Sequence, residues 1–395
     1  MHSHTLPELC AWILDRFAAR DDASSRFFPS QAMPLARACS TMHERFEAGG
    51  RLLAFGNGPY ATDAQHVSVE FVHPVIVGKR ALPAMDLSFA YASWVQAVLQ
   101  PQDIVMGFGP PAGDPLVLET LRHAQRRGAF AAAFPGTGFD YGVNAPSSDV
   151  HVHQELIEIL CHTLYESVQV FFEHRELGHD VGASGFLYPF LGERSAHDDL
   201  IADVASSISM KVADARALRA LAASDQIEAV ARAIEAIVAQ LREGGKLILF
   251  GNGGSATDAT DWALDCVMPE DGSPPIPAVS LSLEPAIITA VGNDVGIEVI
   301  FLRQLIAQAR PHDVAVALST SGGSKNVITA LEEARRRGML TVALLGYDGG
   351  EIVRRNLADI PIVVHSDYIP RIQEVQGTIY HVIREGIARE AGDDA

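Results

Sequence analysis

The chain states one unit twice. Gly49-Gly50-Arg51-Leu52-Leu53-Ala54-Phe55-Gly56-Asn57-Gly58 returns as Gly244-Gly245-Lys246-Leu247-Ile248-Leu249-Phe250-Gly251-Asn252-Gly253, and Ala-Thr-Asp-Ala follows each copy at the same distance, at 61–64 and 256–259. Such self-similarity marks a duplicated fold, and differences between the copies show which chemistry each half has kept. A chain of 395 residues has room for two domains, each burying its own core.

Each copy repeats one order of elements. A helical lead-in ends in Gly-Gly, an apolar run reads as a buried strand, and Gly-Asn-Gly turns into the next helix. A second apolar run follows (103–107; 313–318), then a loop, a helix ending in Arg-Arg-Gly (126–128; 336–338), a third run (129–134; 339–345) and a last helix near Gln154 or Gln373. Strands alternating with helices predict an α/β fold, a parallel sheet covered on both faces. The offset between copies grows from 195 at Gly-Asn-Gly to 210 at Arg-Arg-Gly and 219 at the last helix, so the first copy is shorter, chiefly between its first two apolar runs. The expected division is a domain over 1–172, a linker over 173–197 and a domain over 198–395. Phe186-Leu187-Tyr188-Pro189-Phe190-Leu191 is too apolar for a free tether and is expected to dock on a domain.

The formal net charge of −19 excludes a basic phosphate-backbone binder, so no nucleic acid is expected as partner. It leaves room for a small phosphorylated ligand held by backbone N–H groups. Four cysteines without C-x-x-C spacing, no signal-peptide layout and no apolar run of membrane length predict a cytoplasmic protein with no membrane partner.

In the second copy, Gly251-Asn252-Gly253-Gly254-Ser255 and Ser319-Thr320-Ser321-Gly322-Gly323-Ser324 each follow an apolar run and lead into a helix. Glycines admit a ligand to the backbone, helix N-termini offer N–H groups, and the hydroxyls form a neutral cradle for a phosphate monoester. The bland alternative is that turns are simply made of Ser and Gly. The first copy has Gly56-Asn57-Gly58-Pro59-Tyr60 and Gly107-Phe108-Gly109-Pro110-Pro111-Ala112-Gly113 instead, where prolines remove donors and no hydroxyls cluster, so its phosphate site is expected to be lost.

The motifs Gly-Asn-Gly-Gly-Ser-Ala-x-Asp-Ala (251–259), Gly292-Asn293-Asp294, Ser319-Thr320-Ser321-Gly322 and Arg371-Ile372-Gln373-Glu374-Val375 resemble the sugar isomerase (SIS) domain, and within it the phosphoheptose isomerases. The resemblance implies two tandem SIS domains, each a flavodoxin-like three-layer αβα sandwich. It also implies binding of a sugar phosphate through Asn252, Gly253, Ser255, Asn293, Asp294, Ser319, Thr320, Ser321, Ser324 and Gln373. The activity implied is aldose–ketose isomerisation of a phosphosugar such as sedoheptulose 7-phosphate. Relatives with the same fold are non-catalytic regulators, and a phosphosugar-binding regulatory or scaffold role is the alternative.

The resemblance further implies a His-x-x-x-Glu pair on the first helix after Gly-Asn-Gly, and a Gln and a His eight residues apart on the last helix. Some members hold zinc there, with the Glu and the last His as base and acid. The first copy has all four, His66, Glu70, Gln154 and His162, unless the histidines are merely satisfied core residues. Two imidazoles and a carboxylate suit zinc, with an amide oxygen as a weak fourth ligand. The second copy has Asp261 and Asp265 in place of the pair and keeps Gln373 and His381, which leaves Asp265 and His381 as its base and acid. Asp is one methylene shorter, which sets a base about 1 Å further from a substrate carbon. Asp261 could instead ligate a harder ion, or both acids could simply favour the early turns of a helix. The copies thus read as complementary. The expected assembly is a homodimer giving four SIS domains with composite sites.

Overall fold

The computed structural model describes residues 5–74, 78–175 and 197–392, so the apolar 186–191 segment and nearly all of the expected linker lie outside the described residues. Two compact units emerge from contacts in space: Asp21–Arg216, called here the first unit, and Met1–Arg20 with Ala217–Ala395, the second unit. The grouping cuts across two helices, α1 (Leu6–Phe27) and α7 (His197–Arg242).

In the first unit, α2 (Ala32–Glu47) leads into β1 (Leu52–Phe55), α3 (Ala61–Val72), β2 (Ala84–Asp86), α4 (Tyr91–Val98), β3 (Ile104–Phe108), α5 (Pro115–Arg126), β4 (Phe130–Phe134), β5 (Tyr141–Gly142) and α6 (Val150–Arg175). The strands pair in the order β2-β1-β3-β4-β5, all parallel. β1, β3 and β4 are buried along their whole length, as continuous apolar runs covered on both faces must be.

In the second unit, β6 (Leu247–Phe250) is followed by α8 (Gly254–Val267), β7 (Ala278–Ser280), α9 (Pro285–Asp294), α10 (Ile300–Gln308), β8 (Val314–Ser319), α11 (Lys325–Arg336), β9 (Leu340–Gly346), α12 (Gly350–Arg354), β10 (Ile360–Val364) and α13 (Ile369–Gly392). Its parallel order, β7-β6-β8-β9-β10, reproduces that of the first sheet. The extra length lies between β7 and β8, where two helices stand against the single α4 between β2 and β3.

Both sheets are doubly wound in the 2-1-3-4-5 order of flavodoxin-like folds, in which strand order reverses between the first and third strands. That reversal opens a crevice at the strand C-termini. The loops 251–255 and 319–324 leave β6 and β8 at this point. The repeated Gly-Gly is explained by the turn into the first strand of each sheet. Gly49 and Gly244 both have φ +83°, and a Cβ on Gly50 or Gly245 would lie 2.1 or 1.9 Å from the carbonyl oxygen of Gln102 or His312. No helix among the described residues is long and apolar enough to cross a membrane.

Candidate active site

At the second unit's crevice, α8 and α11 begin at Gly254 and Lys325 with no side-chain cap on either N-terminus, which leaves their first N–H groups directed at the loops. Gly253 holds φ +57° at the turn into α8. The two loops are clasped by reciprocal amide bonds: Asn252 Nδ2 donates to Asn326 Oδ1, and Asn326 Nδ2 to Asn252 Oδ1, both at 2.9 Å. Ser319 Oγ accepts the Gly322 N–H at 3.1 Å and Ser321 Oγ the Gly323 N–H at 3.2 Å. Ser255 is buried, Thr320 and Ser324 are half-buried, and Ser321 is exposed. Asn326 escaped the sequence reading, as did Ser282, whose hydroxyl bonds the Gly251 carbonyl at 3.1 Å. Asn293 and Asp294 are exposed at the C-terminal end of α9, the former donating to the latter at 2.8 Å.

At the same crevice in the first unit, the N-terminus of α5 is capped by a side chain. Asp114, the N-cap of α5, accepts the Leu116 and Val117 N–H groups at 2.8 and 3.0 Å, and Asn57 Nδ2 donates to its other oxygen at 3.2 Å. Strand register makes Asp114 the counterpart of Ser324, and Asn57 that of Asn252. A carboxylate thus stands where the second unit leaves helix N–H groups open.

In the second unit, α8 packs on α13 and brings Asp261, Asp265 and His381 together, all buried. His381 Nε2 lies 3.1 Å from Asp265 Oδ2 and 3.5 Å from Asp261 Oδ2. Tyr380 Oη donates to Asp261 Oδ2 at 2.7 Å, and the Tyr380 ring stacks on Trp262 at 5.6 Å. Gln373, one turn into α13, is buried with its amide oxygen lacking a hydrogen-bond partner. The triad begins seven residues beyond Gly254, or about 10 Å along α8.

The corresponding place in the first unit, between α3 and α6, gathers His66, Glu70 and His162. The two imidazole Nε2 atoms are 3.2 Å apart, and Glu70 Oε1 is 3.4 Å from His162 Nε2 and 3.9 Å from His66 Nε2. Glu70 Oε1 is buried without a hydrogen-bond partner. A tetrahedral ion with bonds of about 2.0–2.1 Å sets neighbouring ligand atoms about 3.3 Å apart, so these spacings suit zinc. Gln154 directs its amide nitrogen at Asp63 and Thr62, at 3.4–3.5 Å. Glu158 also approaches the cluster, its carboxylate oxygen and the His66 and His162 nitrogens all lying within 4.8 Å of one another.

A doubly wound sheet present in two copies, with hydroxyl-bearing loops at the reversal point of the second, defines a protein of two SIS domains. The SIS domain family model matches residues 212–346. The phosphoheptose isomerase of Geobacter sp. strain M21 is 45% identical over 163 residues, which are 41% of this chain and 84% of that protein. That of Pelobacter propionicus is 43% identical over 180 residues, 45% of this chain and 93% of that protein. The chain belongs to the SIS-domain phosphosugar isomerase family, and phosphoheptose isomerases are the relatives it matches there. In fold, it aligns over 96% of its length with 96% of the C-terminal domain of glucosamine-fructose-6-phosphate aminotransferase from Francisella tularensis, at a TM-score of 0.64 and 11% identity. A putative phosphosugar isomerase from Silicibacter pomeroyi aligns with a TM-score of 0.52 at 14% identity, covering 96% of this chain and 98% of that one.

Proposed function

We propose that the protein is a phosphosugar aldose–ketose isomerase acting on sedoheptulose 7-phosphate or a near relative. The observation that carries this reading is that the second unit holds, within one compact body, a buried carboxylate–imidazole pair and an uncapped, hydroxyl-bearing loop pair. The phosphate binds the loops 251–255 and 319–324 through backbone N–H groups and the hydroxyls of Ser255, Ser319, Thr320, Ser321 and Ser324, with Asn252 fixed by Asn326. Asn293 and Asp294 join the binding set from α9.

Isomerisation moves a proton between adjacent carbons through an enediol. The Asp265 carboxylate takes the proton from the carbon next to the carbonyl, His381 protonates the carbonyl oxygen, and reversal on the neighbouring carbon completes the exchange. Gln373 offers its unpartnered amide oxygen to a substrate hydroxyl. In the first unit Glu70 and His162 keep the residue types that the family resemblance assigns to base and acid. Zinc, when held there, would polarise a carbonyl as a Lewis acid. Four free cysteines fit a reducing cytoplasm, and the expected assembly is a homodimer.

The test is interconversion of ketose and aldose phosphates followed by NMR. Ser319→Ala with Ser321→Ala should raise KM, while Asp265→Asn or His381→Gln should lower kcat by about a hundredfold or more. A second reading, a phosphosugar-binding regulator without turnover, is favoured by the Asp114 carboxylate capping α5 at the first unit's crevice. Tight sugar-phosphate binding with no turnover by the wild-type protein would select it.

A further inference from the structure

The two units connect their last two strands differently. In the second unit, 347–359 joins β9 to β10 and includes α12, whose Ile352 is fully buried in one core cluster with Val327, Ile328 and Leu331. The Ile352 N–H donates to the Gly322 carbonyl at 3.1 Å, and a Cβ on Gly322 would lie 2.1 Å from the Gly349 oxygen, so α12 and the turn before it close one side of the β8–α11 loop. In the first unit, 135–140 joins β4 to β5 with no helix. An open cleft of about 280 Å³ lies there, walled by the loop after β3, one face of α5 and the loops after β4 and β5. We propose that this cleft binds a small carboxylate with an apolar body, at a site separate from the phosphosugar crevice and independent of isomerase turnover.

Side-chain exchanges accompany the missing helix. Strand register makes Ala112, Leu118 and Arg122 the counterparts of Gly322, Ile328 and Glu332. Ala112 carries a methyl group where the second unit has room only for backbone. Leu118 is half-buried and lines the cleft, whereas Ile328 is buried in the core that Ile352 joins. Glu332 forms an ion pair with Arg355, just past α12. Arg122 reverses that charge and, among the described residues, has no carboxylate partner; its guanidinium carbon lies 5.8 Å from the centre of the Phe139 ring. Pro111, Leu118, Phe139 and Val143 supply apolar wall, and Thr137 and Asn144 add a hydroxyl and an amide. A guanidinium lying over an aromatic ring keeps its N–H fork for a carboxylate, which it binds through two parallel bonds. Charge favours a monoanion over a phosphate dianion. Arg122 is the one cation lining the cleft, and the first N–H groups of α5 are already bonded to Asp114, whose own negative charge opposes a second anion. The volume falls just below the roughly 300 Å³ at which pockets for drug-sized ligands begin, so the occupant is small.

Saturation-transfer NMR on the full-length protein tests the site, with cinnamate, 3-phenylpropionate and 4-methylpentanoate as probes. Wild-type protein should transfer saturation to these carboxylates, and excess sedoheptulose 7-phosphate should not displace them. Arg122→Gln should weaken their binding by about tenfold or more, the worth of a charge-assisted hydrogen bond. Cinnamyl alcohol, which has the same body without the charge, should bind wild-type protein more weakly than cinnamate by a similar factor. Leu118→Trp, which fills the cleft and keeps the charge, should abolish the transfer, while Glu332→Gln in the second unit should change affinity less than about twofold. Melting of each variant separates ligand loss from misfolding, and Arg122 is exposed, so its substitution is read in a folded protein. Silence of all three carboxylates, equal binding by wild-type and Arg122→Gln proteins, or displacement by sedoheptulose 7-phosphate would overturn the site. Tighter, Arg122-dependent binding of phenyl phosphate than of cinnamate would overturn the ligand class, and none of these outcomes touches the turnover assay.

Discussion

At the scale of single residues, the two copies diverge by exchanging side chains at fixed backbone positions. The Asp114 and Ser324 pair is the clearest case. A serine that leaves helix N–H groups open became a carboxylate that accepts two of them. Asp114→Ala should therefore destabilise the first unit by about 1 kcal/mol, the worth of a lost N-cap, measurable by urea unfolding. It should leave sugar-phosphate binding by the second unit unchanged. The sequence exposed the loss of hydroxyls and the gain of prolines in this loop. It did not expose Asp114 as their replacement, because an Asp before a Pro reads as an ordinary helix start. Glu158 was hidden for a related reason: comparing the copies finds what they share, and this carboxylate aligns with Gly377 in the second copy. Only the packing of α3 on α6 shows that it joins His66 and His162.

At the scale of elements, the strands with long apolar runs were legible, and so were the helices that follow them. β2, β5 and β7 were not, because they are edge strands of two or three residues with incomplete burial, and neither was β10, an apolar edge strand of five residues whose place in the first sheet is taken by the two-residue β5, so the repeat does not mark it. Their neighbours decide that they pair. One element junction near the second unit's triad makes a pH prediction. Arg384 on α13 is fully buried and bonds Asp265 O at 3.3 Å, Ser273 Oγ at 2.7 Å and the Asp271 carboxylate in the turn after α8. Burial alone would raise the Asp271 pKa, but the bonds from Arg384 and Ser273 outweigh it and hold the group at about 2, below its ordinary 3.8. A carboxyl depressed in the folded state contributes stability that is fully present above about pH 4 and is lost as pH falls through about 2. Because Asp271 is largely exposed, screening reduces that contribution to about 1 kcal/mol. Asp271→Asn should lower stability at pH 7 by roughly that amount or more, since Arg384 loses its charge partner, and should flatten the acid limb between pH 4 and 2. Chemical denaturation at stepped pH reads both effects.

At the scale of the whole molecule, the repeat in the sequence does not show which lead-in helix serves which sheet. Leu9, Ile13 and Phe17 of α1 lie in the same core cluster as β6, β8, β9 and β10, more than 200 residues away along the chain. Leu200, Ile201, Val204 and Ile208 of α7 lie in the cluster of β1, β3 and β4. The N-terminal half of each of these helices therefore packs on the sheet farther from it along the chain, a relation that periodicity cannot reveal because either helix has a suitable apolar face. The arrangement makes a crosswise prediction. Ile13 is fully buried, so Ile13→Ala should cost about 2–5 kcal/mol, and the loss should fall on the second unit. Hydrogen exchange followed by mass spectrometry should then show faster exchange in 247–250, 314–319 and 340–346, with 52–55, 104–108 and 130–134 little changed. Ile208→Ala, a comparably buried site, should give the opposite pattern. If each substitution instead loosened the sheet nearer to it in sequence, the half-helices would belong to the neighbouring copies, and the cores would be divided along the chain.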